Sequence, residues 1–114
     1  MKDDIERVEY ASMMYDFYGG LLSESQNEVM ALYHEDNLSL SEIAEQLGMT
    51  RQAVHYTLKK AEKALEKFEE KLGLVDSYER NQKLAGEALG IIESAEISGR
   101  GKSRLSEIIR QLAE

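Results

Sequence analysis

The chain has 114 residues, 22 Asp and Glu against 14 Lys and Arg for a formal net charge of −8, and neither cysteine nor proline. That length allows one modest domain with an appended helical element and excludes two full-sized domains, while the lack of cysteine excludes a disulfide framework and a thiolate metal site. Abundant Glu, Leu, Ala and Lys predict an all-α protein, and with no apolar run of about 18 residues and no signal-peptide core after Met1, a cytoplasmic protein without membrane insertion is expected.

The first predicted helix carries Ile5, Val8, Met13 and Phe17 together with Tyr10, Met14, Tyr15 and Tyr18, and ends at Gly19-Gly20. Apolar over much of its circumference, it needs more than one neighbour. Ser23 and Gln26 have the spacing of a capping box and open a second helix through Val29, Met30, Leu32 and Tyr33. His34-Glu35-Asp36-Asn37 reads as a solvated polar turn. Its adjacent titratable residues do not converge on one ion, so no metal site is expected there.

Ser39 to Ala61 is the most informative stretch. Ser39 and Glu42 form a second capping box, which starts a helix at Leu40. Leu40, Ile43, Ala44 and Leu47 recur at three- and four-residue spacing, leaving Ser41, Glu42, Glu45 and Gln46 on the wet side. Gly48 sits where the chain must reverse, and Thr50 is placed to cap the next helix. Two short capped segments meeting at a glycine corner have the form of a helix-turn-helix.

In the second of these helices Val54, Leu58 and Ala61 share the face that packs inward, while Arg51, Gln52, His55, Tyr56 and Lys59 point away. The first turn of a recognition helix reaches base edges in the major groove, where arginine pairs with guanine and glutamine with adenine. Lys59 and Lys60 suit phosphate oxygens, which position a protein without specifying sequence. The predicted DNA-binding residues are Thr50, Arg51, Gln52, His55, Tyr56, Lys59 and Lys60, acting on double-stranded DNA without any cofactor. With no stop signal before Gly73, this helix runs from Arg51 to Leu72.

Residues 1–72 therefore form the first predicted domain and residues 73–114 a C-terminal helical extension. In the extension Val75, Tyr78, Gln82, Ala85, Leu89 and Ile92 make a near-heptad stripe, to pack on the first helix or on the same helix of a second subunit. Ser98-Gly99-Arg100-Gly101-Lys102 reads as a flexible break, with Ser103 capping a last amphipathic helix that bears Leu105, Ile108, Ile109 and Leu112. Helix-turn-helix proteins commonly bind paired half-sites, so a homodimer is expected.

Charge is unevenly spread. Residues 1–50 hold eleven acids and two bases, residues 51–71 six bases and four acids, and residues 72–114 seven acids and six bases. The reading helix is thus the one positive segment, and non-specific binding to DNA should be weak and fall steeply with salt. No nucleophile with a base and an orienting acid is spaced around His55, and there is no Gly-rich phosphate loop, so the expected protein is not an enzyme.

Ser39 to Val54 resembles the helix-turn-helix of sigma-70 region four. Within that superfamily the chain resembles the bacterial YlxM family, through Tyr15-Asp16-Phe17-Tyr18-Gly19-Gly20-Leu21-Leu22-Ser23-Glu24-Ser25-Gln26 upstream and Arg51 to Leu72 downstream. The similarity covers about residues 5 to 80. It implies a DNA-binding regulatory protein of the bacterial cytoplasm, in which Arg51, Gln52, His55 and Tyr56 face bases and Lys59 and Lys60 lie near phosphates. It also implies a link to the signal recognition particle pathway, because genes of the family neighbour those of its GTPase and receptor. The alternative reading is a non-enzymatic adaptor that binds the signal recognition particle GTPase or its RNA.

Overall fold

Local hydrogen bonding places most helix ends in the computed structural model, which describes residues 4–114 and their side chains from Glu6 onward; Ile5 lies outside the described side chains. The helices are α1 (Asp4–Tyr18), α2 (Glu24–His34), α3 (Leu40–Leu47), α4 (Arg51–Leu72), α5 (Leu74–Ser94) and α6 (Gly99–Ala113), with a single 3-10 turn at Gly19–Leu21 after α1. No strand occurs among the described residues.

Both capping boxes form. Ser23 Oγ accepts from the Gln26 amide at 3.2 Å while Gln26 Oε1 accepts from the Ser23 amide at 3.3 Å. The corresponding distances at Ser39 and Glu42 are 3.1 and 2.9 Å. Gly48 has φ 65° and Gly73 φ 61°, both in the left-handed region that lets a helix end and the chain turn away. At the first corner the Met49 amide donates back to the Ala44 carbonyl at 2.9 Å, so only Gly48, Met49 and Thr50 separate α3 from α4.

The chain divides into two compact units, the first ending at Gly73 and the second spanning Leu74–Glu114. In the first, α4 is the hub and packs against α1, α2 and α3. Its Val54, Leu58, Ala61 and Leu65 are buried at a 4-3-4 spacing and meet Met14, Tyr15 and Tyr18 of α1, Val29, Met30 and Leu32 of α2, and Ile43 and Ala44 of α3 in one core. Each fully buried aliphatic side chain contributes roughly 1.5 to 3 kcal/mol. The broad apolar surface of α1 is thus divided: Met14, Tyr15 and Tyr18 turn inward, while Val8 and Phe17 stay exposed.

A polar node ties the first elements together. Tyr15 Oη donates to Asn27 Oδ1 at 2.6 Å, and Asn27 Nδ2 donates to the Gly19 carbonyl at 2.9 Å, joining α1, the 3-10 turn and α2. Tyr18 Oη donates to Glu69 across 51 positions of sequence, and its ring lies 6.0 Å from that of Phe68. The C-terminal end of α4 is therefore held by α1.

The second unit is an antiparallel pair. Gln82 Nε2 donates to the Ala113 carbonyl at 2.8 Å near one end of α5, and Lys102 Nζ donates to the Glu93 carbonyl at 3.0 Å near the other. Two expectations are corrected here. Ser98, not Ser103, caps α6, its Oγ accepting from the Gly101 amide at 3.0 Å, so residues 98–102 are a helix start rather than a flexible break. The serine hydroxyl satisfies an amide otherwise left open at the helix start, and the Lys102 contact to Glu93 holds the same turn against α5. The stripe on α5 meets α6, a neighbour that the periodicity of α5 alone could not identify.

Candidate nucleic-acid interface

The interface begins with a cap. Thr50 Oγ1 accepts from the Ala53 amide at 3.0 Å, which starts α4 immediately after the glycine corner and sets the rotation of the helix. Its hydroxyl proton remains available to an external acceptor. From that origin every position of α4 has a determined side: Val54 is 0% and Leu58 4% exposed, so the opposite stripe faces water.

That stripe holds most of the residues singled out from sequence, and the helix start holds the others. Thr50, Arg51, Gln52, His55, Tyr56, Lys59 and Lys60 are all exposed, Tyr56 at 64%. Gln52, His55, Tyr56, Lys59 and Lys60 share one side of the first three turns, with Thr50 and Arg51 exposed at the helix start, a run of roughly 15 Å at 1.5 Å per residue. Lys60 Nζ lies 5.5 Å from the centre of the Tyr56 ring, and Lys59 Nζ lies 3.8 Å from Glu62. Such an exposed ion pair stabilises by at most about 1 kcal/mol, so a phosphate can replace its carboxylate at little cost. Lys63 and Lys67 continue the exposed basic series.

The neighbouring helix has the opposite sign. Glu42 and Glu45 are exposed on α3, and hydrogen bonding to Ser39 holds the Glu42 carboxyl below the usual carboxylate range. Positive charge is thereby confined to α4 within the helix-turn-helix.

His34 departs from the solvated turn expected for it. It is the last residue of α2, half-buried, with its ring 6.3 Å from Tyr15 and 5.0 Å, edge-on, from Tyr33. Burial lowers its pKa, partly opposed by Asp16, and its Nε2 is buried with no hydrogen-bond partner. Burial also raises the Tyr15 hydroxyl, helped by Glu35 and Asp16. Glu35 and Asp36 are exposed, and among the described residues no group of three His, Cys, Asp or Glu side chains could hold a metal ion. No helix among them is long and apolar enough to cross a membrane.

Sequence reading overlooked the supports of this surface. Asn27, which locks α1 to α2, and Glu69, which anchors α4 to Tyr18, carry no local signal: each is a polar residue on a helix, with partners set by tertiary packing.

Known proteins similar to this chain are found in bacteria. The chain is 46% identical to a UPF0122 protein of Desulforamulus reducens over 85 residues, covering 75% of this chain and 73% of that one. It is 42% identical to a UPF0122 protein of Thermoanaerobacter pseudethanolicus over 105 residues (92% and 86%), and 35% identical to one of Bacillus cereus over 108 residues (95% and 98%). Residues 5–100 match the profile of the family UPF0122, described as "Putative helix-turn-helix protein, YlxM / p13 like". The capped corner between α3 and α4 thus lies inside a match that spans most of the chain, which belongs to the UPF0122 family of helix-turn-helix proteins.

Proposed function

We propose that this protein is a non-enzymatic, sequence-specific DNA-binding regulator of the bacterial cytoplasm that reads the major groove with the N-terminal turns of α4. The observation that carries the reading is a fully buried Val54 that seats the start of α4 while Arg51, Gln52, His55 and Tyr56 stay exposed in the same two turns. A rigidly seated helix offers its donors to base edges without first having to fold, and Lys59 and Lys60 follow at the spacing of phosphate contacts. Two copies, each presenting one such helix, would engage paired half-sites.

The test is selection of bound fragments from random duplex DNA at low salt, followed by gel shifts on the enriched sequence. Arg51→Ala with Gln52→Ala should weaken binding by about 1 to 3 kcal/mol per lost base contact while helical circular dichroism stays unchanged. Enrichment of no sequence would end the proposal.

The exposed acids Glu24, Glu28, Glu35, Asp36, Glu42 and Glu45 support a second reading, an adaptor in the signal recognition particle pathway that contacts a basic surface of its GTPase or associated RNA-protein assembly. Reversing these charges other than that of Glu42, which caps α3, should abolish retention on the particle if the adaptor reading holds. It should leave DNA binding intact, or slightly strengthened, if the regulator reading holds.

A further inference from the structure

The second unit is built without a core of its own. Val75 is the one buried residue of α5, and α6 has none. Its large apolar side chains remain in water: Leu84 is 56% exposed, Ile91 63%, Leu105 43% and Leu112 76%. These are not scattered. Leu84, Ala88 and Ile91 recur at four and three residues on α5, Leu105, Ile109 and Leu112 at the same spacing on α6, and members of both sets line one open groove of about 390 Å³ between the helices. A contiguous apolar face of this kind marks an interaction surface.

We infer that this face of α5 and α6 is the dimer interface, and that its occupant is the same face of a second copy, so that two hairpins close into a four-helix bundle. The inference rests on the two-copy reading given above and names the surface that brings the copies together.

Charge favours a second copy over other partners. Helix α5 carries four acids and two bases, and α6 four bases and one acid. A twofold axis running along the bundle sets each α5 beside its own α6 and the partner's α6, so that acidic and basic helices alternate and like helices lie on the diagonals. The first unit, with fifteen acids and eight bases through Gly73, would instead repel its own copy.

Area agrees with this choice. The 15 residues of α6 give a face about 22 Å long, and two helices side by side make it roughly 20 Å wide. Each copy then contributes about 450 Å² in projection, and side-chain relief carries the pair past the roughly 1,000 Å² that a specific interface requires. Leu and Ile closing over the groove are the interdigitating kind of surface that four-helix bundles bury.

Sedimentation velocity of the full chain without DNA tests the inference. The wild type should sediment at twice the 13.0 kDa of one chain, and Leu84→Glu with Leu112→Glu should return it to one chain with unchanged far-ultraviolet circular dichroism. Should that double variant lose helix content, Leu112→Arg alone, at the most exposed apolar position, should raise the dimer dissociation constant at least tenfold. A monomeric wild type would overturn both the two-copy reading and the interface. A dimer unaffected by these variants would overturn the interface and leave the two-copy reading standing. A dimer dissociated by them that selects no DNA sequence would uphold the interface while the regulator reading fails.

Discussion

The two units of this chain are made of similar helices and differ in what those helices bury. In the first, three helices converge on α4 and share with it a core in which Met30, Ile43, Val54, Ala61 and Leu65 are fully buried. In the second, two helices run side by side with Leu84, Ile91 and Leu112 more than half exposed. Length does not explain the contrast, since α5 is 21 residues long and α4 is 22. The number of neighbours does: an amphipathic helix with three partners covers its whole apolar stripe, whereas a helix with one covers part of it. A rigid presentation of side chains is therefore expected of α4, and a surface awaiting a partner of the α5–α6 hairpin.

Core truncation should separate the units most. Ile43→Ala removes a fully buried side chain and should cost about 2 to 5 kcal/mol in urea denaturation. Leu112→Ala, examined in dilute monomer, should change stability by less than about 0.5 kcal/mol. Equal costs would erase the distinction between the units.

Glycine replacement should act with opposite signs in the two regions. At Gly48, φ is 65° and nothing lies within 4 Å of an added Cβ, so Gly48→Ala meets backbone strain alone and should destabilise by about 1 to 2 kcal/mol. Gly86 and Gly90 lie within α5 and are equally unobstructed, so alanine at either should stabilise by up to about 1 kcal/mol and raise helical circular dichroism. Thermal denaturation of the three variants checks the sign of each.

The start of α4 should be sensitive to its cap. Thr50→Ala removes the acceptor for the Ala53 amide and should lower stability by about 1 kcal/mol, with weaker DNA binding as the first turn of α4 frays. Ser98→Ala does the same to α6, whose first turn contains Gly99 and Gly101, and should abolish helicity there more completely, read by amide hydrogen exchange.

Acidity should act on the first unit through His34. Burial sets its folded pKa below 6.5, so the unfolded chain takes up the proton first and stability falls as pH drops below about 6.5, levelling off beneath the lowered folded value. Denaturation midpoints between pH 7.5 and 5 should show this slope, and His34→Gln should flatten it. An unchanged slope in that variant would assign the effect to another group.

Much of the exposed surface of α4 was legible in the sequence because its determinants are local. A capping box needs residues three apart, a left-handed corner needs one glycine, and the inward and outward sides of α4 follow from its period once Thr50 defines the start. Arg51 to Leu72 could be bounded for the same reason: a threonine cap at one end and Gly73 at the other. Competition between equivalent local signals is where such reading failed. Ser98 and Ser103 both offered a hydroxyl to a helix start, and the earlier one serves because α6 can extend back over Gly99 to Lys102 while Lys102 reaches Glu93 on α5.

The amino-acid order alone determined that the chain is helical, where it turns near Gly48 and Gly73, and which side of α4 is polar, since these depend on hydrogen bonds and periodicities spanning a few residues. Only the tertiary structure decided that His34 enters a tyrosine cluster, that Tyr18 meets Glu69, that α5 pairs with α6, and that the hairpin keeps an apolar face in water. Those outcomes depend on which distant surfaces meet, a competition among many apolar stripes of similar composition that no short window of sequence contains.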